Sequence, residues 1–193
     1  IPLGRWIINT AAKACNRWIT SIPDFVMHIN LSFVQIVKSN IVKDVLENIE
    51  RYSAANNHYV FEITETIEMD QIPAVQNVFK EFVKNDFRFA IDDFGTGYSN
   101  YGYMRDRTFD IVKVDRSFVT DIDKLKDNYL MVSFIIKMAH EMGLHVCIEG
   151  VETKEELSCV KRLGADYIQG YYYGKPVCLQ DFEEQHLKRF VLG

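Results

Sequence analysis

The sequence predicts an α/β fold in which parallel strands alternate with helices, as in a TIM-like β/α barrel. Six short apolar segments alternate with longer segments whose apolar residues recur every three or four positions. Each short segment also ends in a polar residue. An open doubly wound sheet is the competing architecture, but polar groups on successive strand ends converge on one mouth only if the sheet closes. The polar ends therefore favour the barrel.

The first half of the chain supplies three of the predicted strands. An opening helix is indicated because Ile7, Ala11 and Ala14 lie on one face at helical spacing. The strands that follow are short, apolar and bounded by polar residues. We predict strands at 25–30, 58–63 and 88–92, and helices at 3–19, 33–51 and 71–85.

The second half of the chain repeats this alternation. Gly143 and Gly164 each follow a periodic segment in the position expected of a helix stop. A barrel of this type has eight strands, so the count of six leads us to expect one or two strands missing from the N-terminal side. We predict a short helix or turn at 99–107, strands at 110–115, 145–149 and 166–169, and helices at 126–142, 154–163 and 180–190.

Composition and charge narrow the class of function. The chain has 193 residues, 48% of them hydrophobic, which suits one domain with a sizeable core. Its net charge of −5 makes duplex nucleic acid an unfavourable partner, because phosphate binding depends on basic charge. It contains no apolar run near the roughly 20 residues that span a bilayer and no signal-peptide pattern, so we expect a cytoplasmic domain. The four cysteines show no metal-binding or disulfide spacing.

Three of the polar strand ends are carboxylates: Glu62, Asp92 and Glu149. Burying several carboxylates together is costly unless a cation compensates them. Oxygen-rich clusters that include an amide such as Asn30 suit Mg²⁺ or Mn²⁺, and two such ions can hold a water and a phosphoryl oxygen. Lys113 adds a charge that can orient the water or offset phosphate charge. Taken singly, each residue also fits a structural role, such as a loop cap or a lysine that reaches solvent.

Six motifs of the chain resemble, in order and spacing, the signatures of EAL-domain phosphodiesterases. The resemblance covers essentially residues 1–193, which we identify as an N-terminally incomplete domain because the Glu-Ala-Leu segment that names the family is absent from them. Ile148 stands where the family usually has alanine. The motifs are Asn30-Leu31-Ser32, Glu62-Ile63-Thr64-Glu65, Asp92-Asp93-Phe94-Gly95-Thr96-Gly97-Tyr98-Ser99, Lys113-Val114-Asp115, Glu149-Gly150-Val151-Glu152-Thr153 and Gln169-Gly170-Tyr171.

The resemblance implies a β/α barrel that hydrolyses cyclic-di-GMP to linear pGpG with Mg²⁺ or Mn²⁺, in a site for two metals. It implies that Lys113 positions the catalytic water and that Glu149 also serves as a general-base carboxylate. It implies that Glu152 anchors the loop of residues 93–99 and that Gln169 orients water or substrate. The residues it marks as metal ligands or their supports are Asn30, Glu62, Asp92, Asp93, Asp115 and Glu149.

The resemblance leaves several alternatives open. A homodimer and an upstream diguanylate cyclase (GGDEF) or sensor domain are both compatible with it. The same pocket without turnover would be a cyclic-di-GMP receptor, and the glutamate of the Glu-Ala-Leu segment would discriminate the two. A barrel lyase with a Schiff base on Lys113 is a third reading. That chemistry needs a neutral amine, which nearby carboxylates such as Asp115 disfavour.

Overall fold

The computed structural model describes residues 2–52, 54–64, 73–96 and 108–187. Over these residues, helices alternate with six strands, as predicted. The strands are β1 (Met27–Asn30), β2 (Tyr59–Thr64), β3 (Arg88–Phe94), β4 (Ile111–Val114), β5 (His145–Ile148) and β6 (Tyr167–Ile168). The helices are α1 (Pro2–Trp18), α2 (Phe33–Lys38), α3 (Ile41–Ile49), α4 (Pro73–Lys84), α5 (Lys126–Glu141), α6 (Lys154–Leu163) and α7 (Leu179–Phe182).

The chain divides into two compact units. The first comprises residues 1–62, 68–88 and 176–193, and the second comprises residues 63–67 and 89–175. In the first unit β1 pairs with β2 in parallel. In the second unit β3, β4, β5 and β6 pair in parallel, each with the next along the chain. Parallel neighbours need a crossover connection, and helices supply it between β1 and β2, between β4 and β5 and between β5 and β6. Residues 97–107, which join β3 to β4, lie outside the described part of the chain.

The first unit is held by a helical face and an aromatic cluster. Helix α1 buries Ile8, Ala12 and Cys15, which are spaced four and three residues apart, and it packs against α3 and β1. On β2, the ring of Phe61 lies edge-on to Phe82 with centroids 4.9 Å apart. Aromatic pairs in this arrangement gain about 0.5–1.5 kcal/mol beyond the burial of their area.

The second unit has the apolar strands expected of a parallel sheet covered on both faces. All four residues of β4 are buried, and so are the last three of β5. Helix α5 packs against β5 and contributes Ile136 and Ala139 to the core. Lys113 is the one polar residue among the four of β4.

Two predicted helices were wrong in extent. The helix predicted at 33–51 is broken into α2 and α3, because the Asn40 side chain accepts a hydrogen bond from the Lys43 N–H at 3.4 Å and so caps a new helix. The helix predicted at 180–190 is α-helical only as α7 and continues as a π-helical turn, Glu183–Leu187. Residues 71–72, 99–107 and 188–190 of the predicted elements lie outside the described residues. Among the helices that the structure describes, none is both long and apolar enough to cross a membrane.

Candidate metal and phosphate site

A bulge in β3 brings the side chains of two consecutive aspartates, Asp92 and Asp93, into the same cluster. The pairing of β3 with β4 shifts register between Ile91 and Phe94, and Asp93 takes a positive φ of 54°. Consecutive strand residues normally point to opposite faces, and a bulge re-aims one of them. As a result, carboxylate oxygens of Asp92, Asp93 and Glu149 all lie within 4.8 Å of one another. Aspartate is among the few residues that tolerate the left-handed backbone without a large cost.

Lys113 links two of these carboxylates from the strand between them. Its Nζ donates a hydrogen bond to Asp92 Oδ1 at 2.7 Å and lies 2.9 Å from Glu149 Oε1. The lysine is only 3% exposed, so its ammonium is stabilised by these two partners rather than by bulk water. The ion pairs favour the charged amine, which argues against the Schiff-base reading of Lys113.

The charge of this group fits a divalent cation. The three clustered carboxylates, Asp92, Asp93 and Glu149, and the Lys113 ammonium that two of them contact carry three negative charges and one positive, a formal sum of −2. The carboxylates offer oxygen atoms, the donors that Mg²⁺ and Mn²⁺ prefer. Asp93 is exposed while Asp92 is buried, so the cluster is open to solvent on one side.

Asp115, a predicted ligand, begins the turn that follows β4. Its carboxylate accepts a hydrogen bond from the Ser117 N–H at 3.0 Å and caps the short 3-10 helix Arg116–Phe118. Desolvation raises the pKa of Asp115, but the hydrogen bonds from Ser117 and Arg116 and the charge of Arg116 outweigh it and hold the pKa below its ordinary value. Asp115 is therefore ionised at neutral pH.

The loops after β3 and β5 both pack on this turn. Gly95 has a φ of +98°, and a Cβ built on it would lie 2.6 Å from Phe118 Cε2. Gly150 has a φ of +72°, and a Cβ there would collide with Arg116 Cβ. Both positions therefore require glycine for backbone conformation and for space. The contacts tie the segments that follow Asp92 and Glu149 to the turn that follows Lys113.

The segment after β6 fixes the backbone around Glu149. The Gln169 N–H donates to the Ile148 carbonyl at 2.8 Å, and the Gln169 carbonyl accepts from the Val151 N–H at 3.2 Å. The Gln169 side chain is exposed, as is that of Glu152. Of the loop at 93–99 that Glu152 was predicted to anchor, residues 97–99 lie outside the described part of the chain.

Sequence reasoning missed Glu156, which organises this segment. Its buried carboxylate accepts hydrogen bonds from the backbone N–H groups of Glu152 (2.9 Å), Thr153 (3.0 Å) and Asp121 (3.2 Å). Burial raises the pKa of Glu156, but these hydrogen bonds outweigh it and lower the pKa below its ordinary value. The signal was available, since Thr153 and Glu156 form a capping box at the start of α6.

Two predicted ligands, Asn30 and Glu62, lie on the paired strands of the first unit. Asn30 is opposite Glu62 in the register of β1 and β2, and the Leu31 N–H donates to the Glu62 carbonyl at 2.9 Å. Glu62 is buried, and its Oε1 lies 2.7 Å from His28 Nδ1. His28 was missed, although it precedes Asn30 by two residues and so shares its face of the strand.

Comparisons with known proteins identify the family of this chain. The sequence profile described as the EAL domain matches residues 1–176. In Pseudomonas aeruginosa, the bifunctional diguanylate cyclase/cyclic di-GMP phosphodiesterase MucR is 28% identical over 178 residues, which are 92% of this chain and 26% of MucR. The chain spans about a quarter of the length of the curated relatives it matches.

Solved structures are also similar. The EAL enzyme Bd1971, in its cAMP- and cyclic-di-GMP-bound form, has a TM-score of 0.90 and 34% identity, covering 98% of this chain and 52% of that one. A manganese and cyclic-di-GMP complex of Klebsiella pneumoniae BlrP1 has a TM-score of 0.77 and 25% identity, covering 90% of this chain and 45% of that one. The predicted α/β fold of the TIM-like EAL type is thereby confirmed. The chain belongs to the EAL domain family.

Proposed function

We propose that this chain is the catalytic part of a metal-dependent phosphodiesterase that hydrolyses cyclic-di-GMP to linear pGpG. The observation that carries the proposal is the buried Lys113 ammonium held between Asp92 and Glu149, with Asp93 brought to the same cluster by the bulge. An oxygen-rich cluster with excess negative charge suits a phosphodiesterase that works through divalent cations. The names of relatives such as MucR support the substrate and the reaction class.

The residues proposed to hold two Mg²⁺ or Mn²⁺ ions combine this cluster with the remaining predicted ligands. When bound, the ions supply positive charge to the phosphoryl oxygens and make a water more acidic. The manganese complex of BlrP1 supports the choice of ion, and the all-oxygen donor set supports it independently. The proposed ligands and supports are Asn30, Glu62, Asp92, Asp93, Asp115 and Glu149.

We propose that four side chains of the chain itself orient the water and the substrate or balance their charge. Lys113 holds the carboxylates of Asp92 and Glu149 at hydrogen-bonding distance from its ammonium, and it offers charge to the attacking water or to phosphate. Glu149 accepts a proton as a general base. The exposed side chain of Gln169 orients water or substrate, and Glu152 anchors the loop of residues 93–99.

The setting of the domain is likewise proposed. We infer that residues 1–193 belong to one cytoplasmic EAL domain that forms a homodimer and follows a diguanylate cyclase (GGDEF) or sensor domain. The name of MucR, which joins a diguanylate cyclase with a phosphodiesterase, supports the upstream cyclase. The chain spans only about a quarter of the length of these relatives, which supports the proposal that the domain is one part of a multidomain protein.

Hydrolysis of cyclic-di-GMP by the full-length protein tests the proposal. We expect pGpG, identified by chromatography, to form with Mg²⁺ or Mn²⁺ and to disappear with a chelator. Asp92→Asn is expected to abolish turnover, because it removes one charge from the cluster, whereas Asp24→Asn on an exposed loop should leave it unchanged. Binding without turnover by the unmodified protein would instead identify a cyclic-di-GMP receptor. Retained activity in Asp92→Asn would falsify the metal role of that residue.

A further inference from the structure

A histidine on β1 holds the buried carboxylate of Glu62 on β2. In the register of these strands Asn30 is opposite Glu62, and His28 lies two residues before Asn30, so the three side chains share one face of the sheet. His28 Nδ1 lies 2.7 Å from Glu62 Oε1. The Glu62 side chain is 7% exposed and that of His28 is 37% exposed, so a partly exposed ring is bonded to a carboxylate that water hardly reaches.

The chemistry of this pair decides which atom donates the hydrogen bond. An ionised carboxylate only accepts hydrogen bonds, so Nδ1 of His28 carries the hydrogen and donates it to Glu62 Oε1. Hydrogen bonds to an ionised carboxylate are shorter and stronger than those between neutral groups, and the 2.7 Å between these two atoms fits such a bond. One oxygen of a side chain with three rotatable bonds is therefore fixed in place.

Such a bond matters most where a carboxylate binds a cation. Groups that hydrogen-bond to a metal-binding side chain fix its orientation, and an oriented ligand loses less conformational freedom when the ion arrives. Asn30, another proposed ligand, is exposed on the same face, so solutes reach this part of the sheet. A buried acid beside an accessible amide is costly for a core and suits the binding of an ion.

We propose that His28 is a positioning residue, whose Nδ1–H holds the Glu62 carboxylate in the orientation that meets a divalent cation. The inference rests on the proposed function, in which Glu62 is one of the metal ligands. His28 itself neither binds the ion nor touches the substrate in this proposal. Its loss should therefore weaken cation binding while the set of ligands stays intact.

Calorimetric titration of the full-length protein with Mn²⁺, in the absence of substrate, tests this role. His28→Ala should lower the Mn²⁺ affinity about tenfold to a hundredfold, the loss typical of removing a group that orients a metal ligand. His28→Asn places an amide nitrogen where Nδ1 was and should keep most of the affinity. His28→Gln places its amide where Nε2 was and should bind Mn²⁺ as weakly as His28→Ala.

His58→Ala is the matched control. His58 lies directly before β2 in the same unit, and its Nδ1 donates to the Phe25 carbonyl, also at 2.7 Å. Its loss should lower Tm in a thermal melt without changing the Mn²⁺ affinity. The rate of hydrolysis adds a second readout. Raising the Mn²⁺ concentration should restore the activity of His28→Ala toward that of the unmodified protein, because the ligands themselves are all present.

The outcomes separate this role from the proposed function. An unchanged Mn²⁺ affinity in His28→Ala, an equal loss in His58→Ala, or a loss in His28→Asn as large as in His28→Ala would overturn the positioning role. Failure of the unmodified protein to bind Mn²⁺ would overturn it together with the metal dependence of the proposed function. Mn²⁺ binding without hydrolysis of cyclic-di-GMP would overturn the proposed function alone, and the titrations of the three variants would still decide the role of His28.

Discussion

At the scale of a single residue, Lys113 is expected to affect cation binding and turnover in opposite directions. Its ammonium offsets part of the charge of Asp92 and Glu149, so we expect it to compete with a cation for those carboxylates. It is also the group that we propose to offer positive charge to substrate phosphate. We predict that Lys113→Met lowers kcat by about 10²–10³, the loss typical of removing one electrostatic group from an active site. The same variant should bind Mn²⁺ more tightly in calorimetric titration, because the three carboxylates lose their internal counter-charge.

Lys124→Met is the control for that variant, since Lys124 is an exposed lysine paired with Asp121. It should change neither kcat nor Mn²⁺ affinity. Weaker Mn²⁺ binding by Lys113→Met would mean that the lysine holds the carboxylates in place and does not compete for them.

Asp93 combines a chemical and a conformational requirement. Its carboxylate belongs to the cluster, and its backbone is left-handed at φ 54°. We predict that Asp93→Asn and Asp93→Ala both lose most activity, since each removes the charge. Only Asp93→Ala should also lower Tm, by about 2–4 °C for the roughly 1 kcal/mol that alanine loses in this conformation.

Asp86 allows the two requirements to be separated. It has nearly the same backbone conformation, at φ 60°, in the loop before β3 and in the first unit. Asp86→Ala should therefore lower Tm by a similar amount in a thermal melt and leave kcat unchanged. A fall in Tm for Asp93→Asn as large as for Asp93→Ala would show that the charge, and not the backbone, determines stability there.

At the scale of elements, the loops of the second unit are locked together by glycines. Gly95→Ala brings a methyl group against the ring of Phe118, whereas Gly143→Ala adds the same group at a similar φ of +79° with nothing within 4 Å. We predict that Gly143→Ala costs only the backbone strain of about 1 kcal/mol and keeps full activity. Gly95→Ala should lower Tm further and reduce kcat/KM, because it displaces the segment that follows Asp93.

A double variant checks the cause of that loss. Phe118→Ala removes the ring that the new methyl group would meet, so Gly95→Ala combined with Phe118→Ala should lose less than the sum of the two single changes. If the losses of the two single variants add up in the double variant, the effect of Gly95→Ala comes from backbone strain alone.

The whole molecule shows which features a sequence can and cannot predict. Six strands and their polar ends follow from alternation, so Asp92, Lys113 and Glu149 were predicted to share an edge and do. The bulge that recruits Asp93 was not predicted, because a register shift depends on both paired strands. The break at Asn40 was missed because apolar periodicity continues across it, although the residue is a good helix cap.

Contacts between segments that are distant in the sequence were also not predicted. Asp110 was assigned to a strand, but its carboxylate accepts a hydrogen bond from the Phe89 N–H at 3.0 Å just before β4 begins. Asp166 does the same before β6, accepting from the Val146 N–H at 2.7 Å. Both aspartates thus join the entry of one strand to the neighbouring strand, a role that only the pairing reveals.

Acid stability is a property of the whole molecule to which such carboxylate contacts contribute. Desolvation raises the pKa of Asp166, but hydrogen bonds from His140, Val146 and His145 and the charge of His140 outweigh it and hold the pKa below its ordinary value. A carboxylate whose folded pKa is depressed stabilises the fold above its unfolded pKa, and that contribution is lost as pH falls through the folded value. We predict that Asp166→Asn lowers Tm at pH 7 by about 2–4 °C, as about 1 kcal/mol would, and that the difference from the unmodified protein shrinks below about pH 4. Thermal melts at pH 7, 4 and 3, with Asp24→Asn as the exposed control, measure this; a difference that grows toward pH 3 would contradict the depressed pKa.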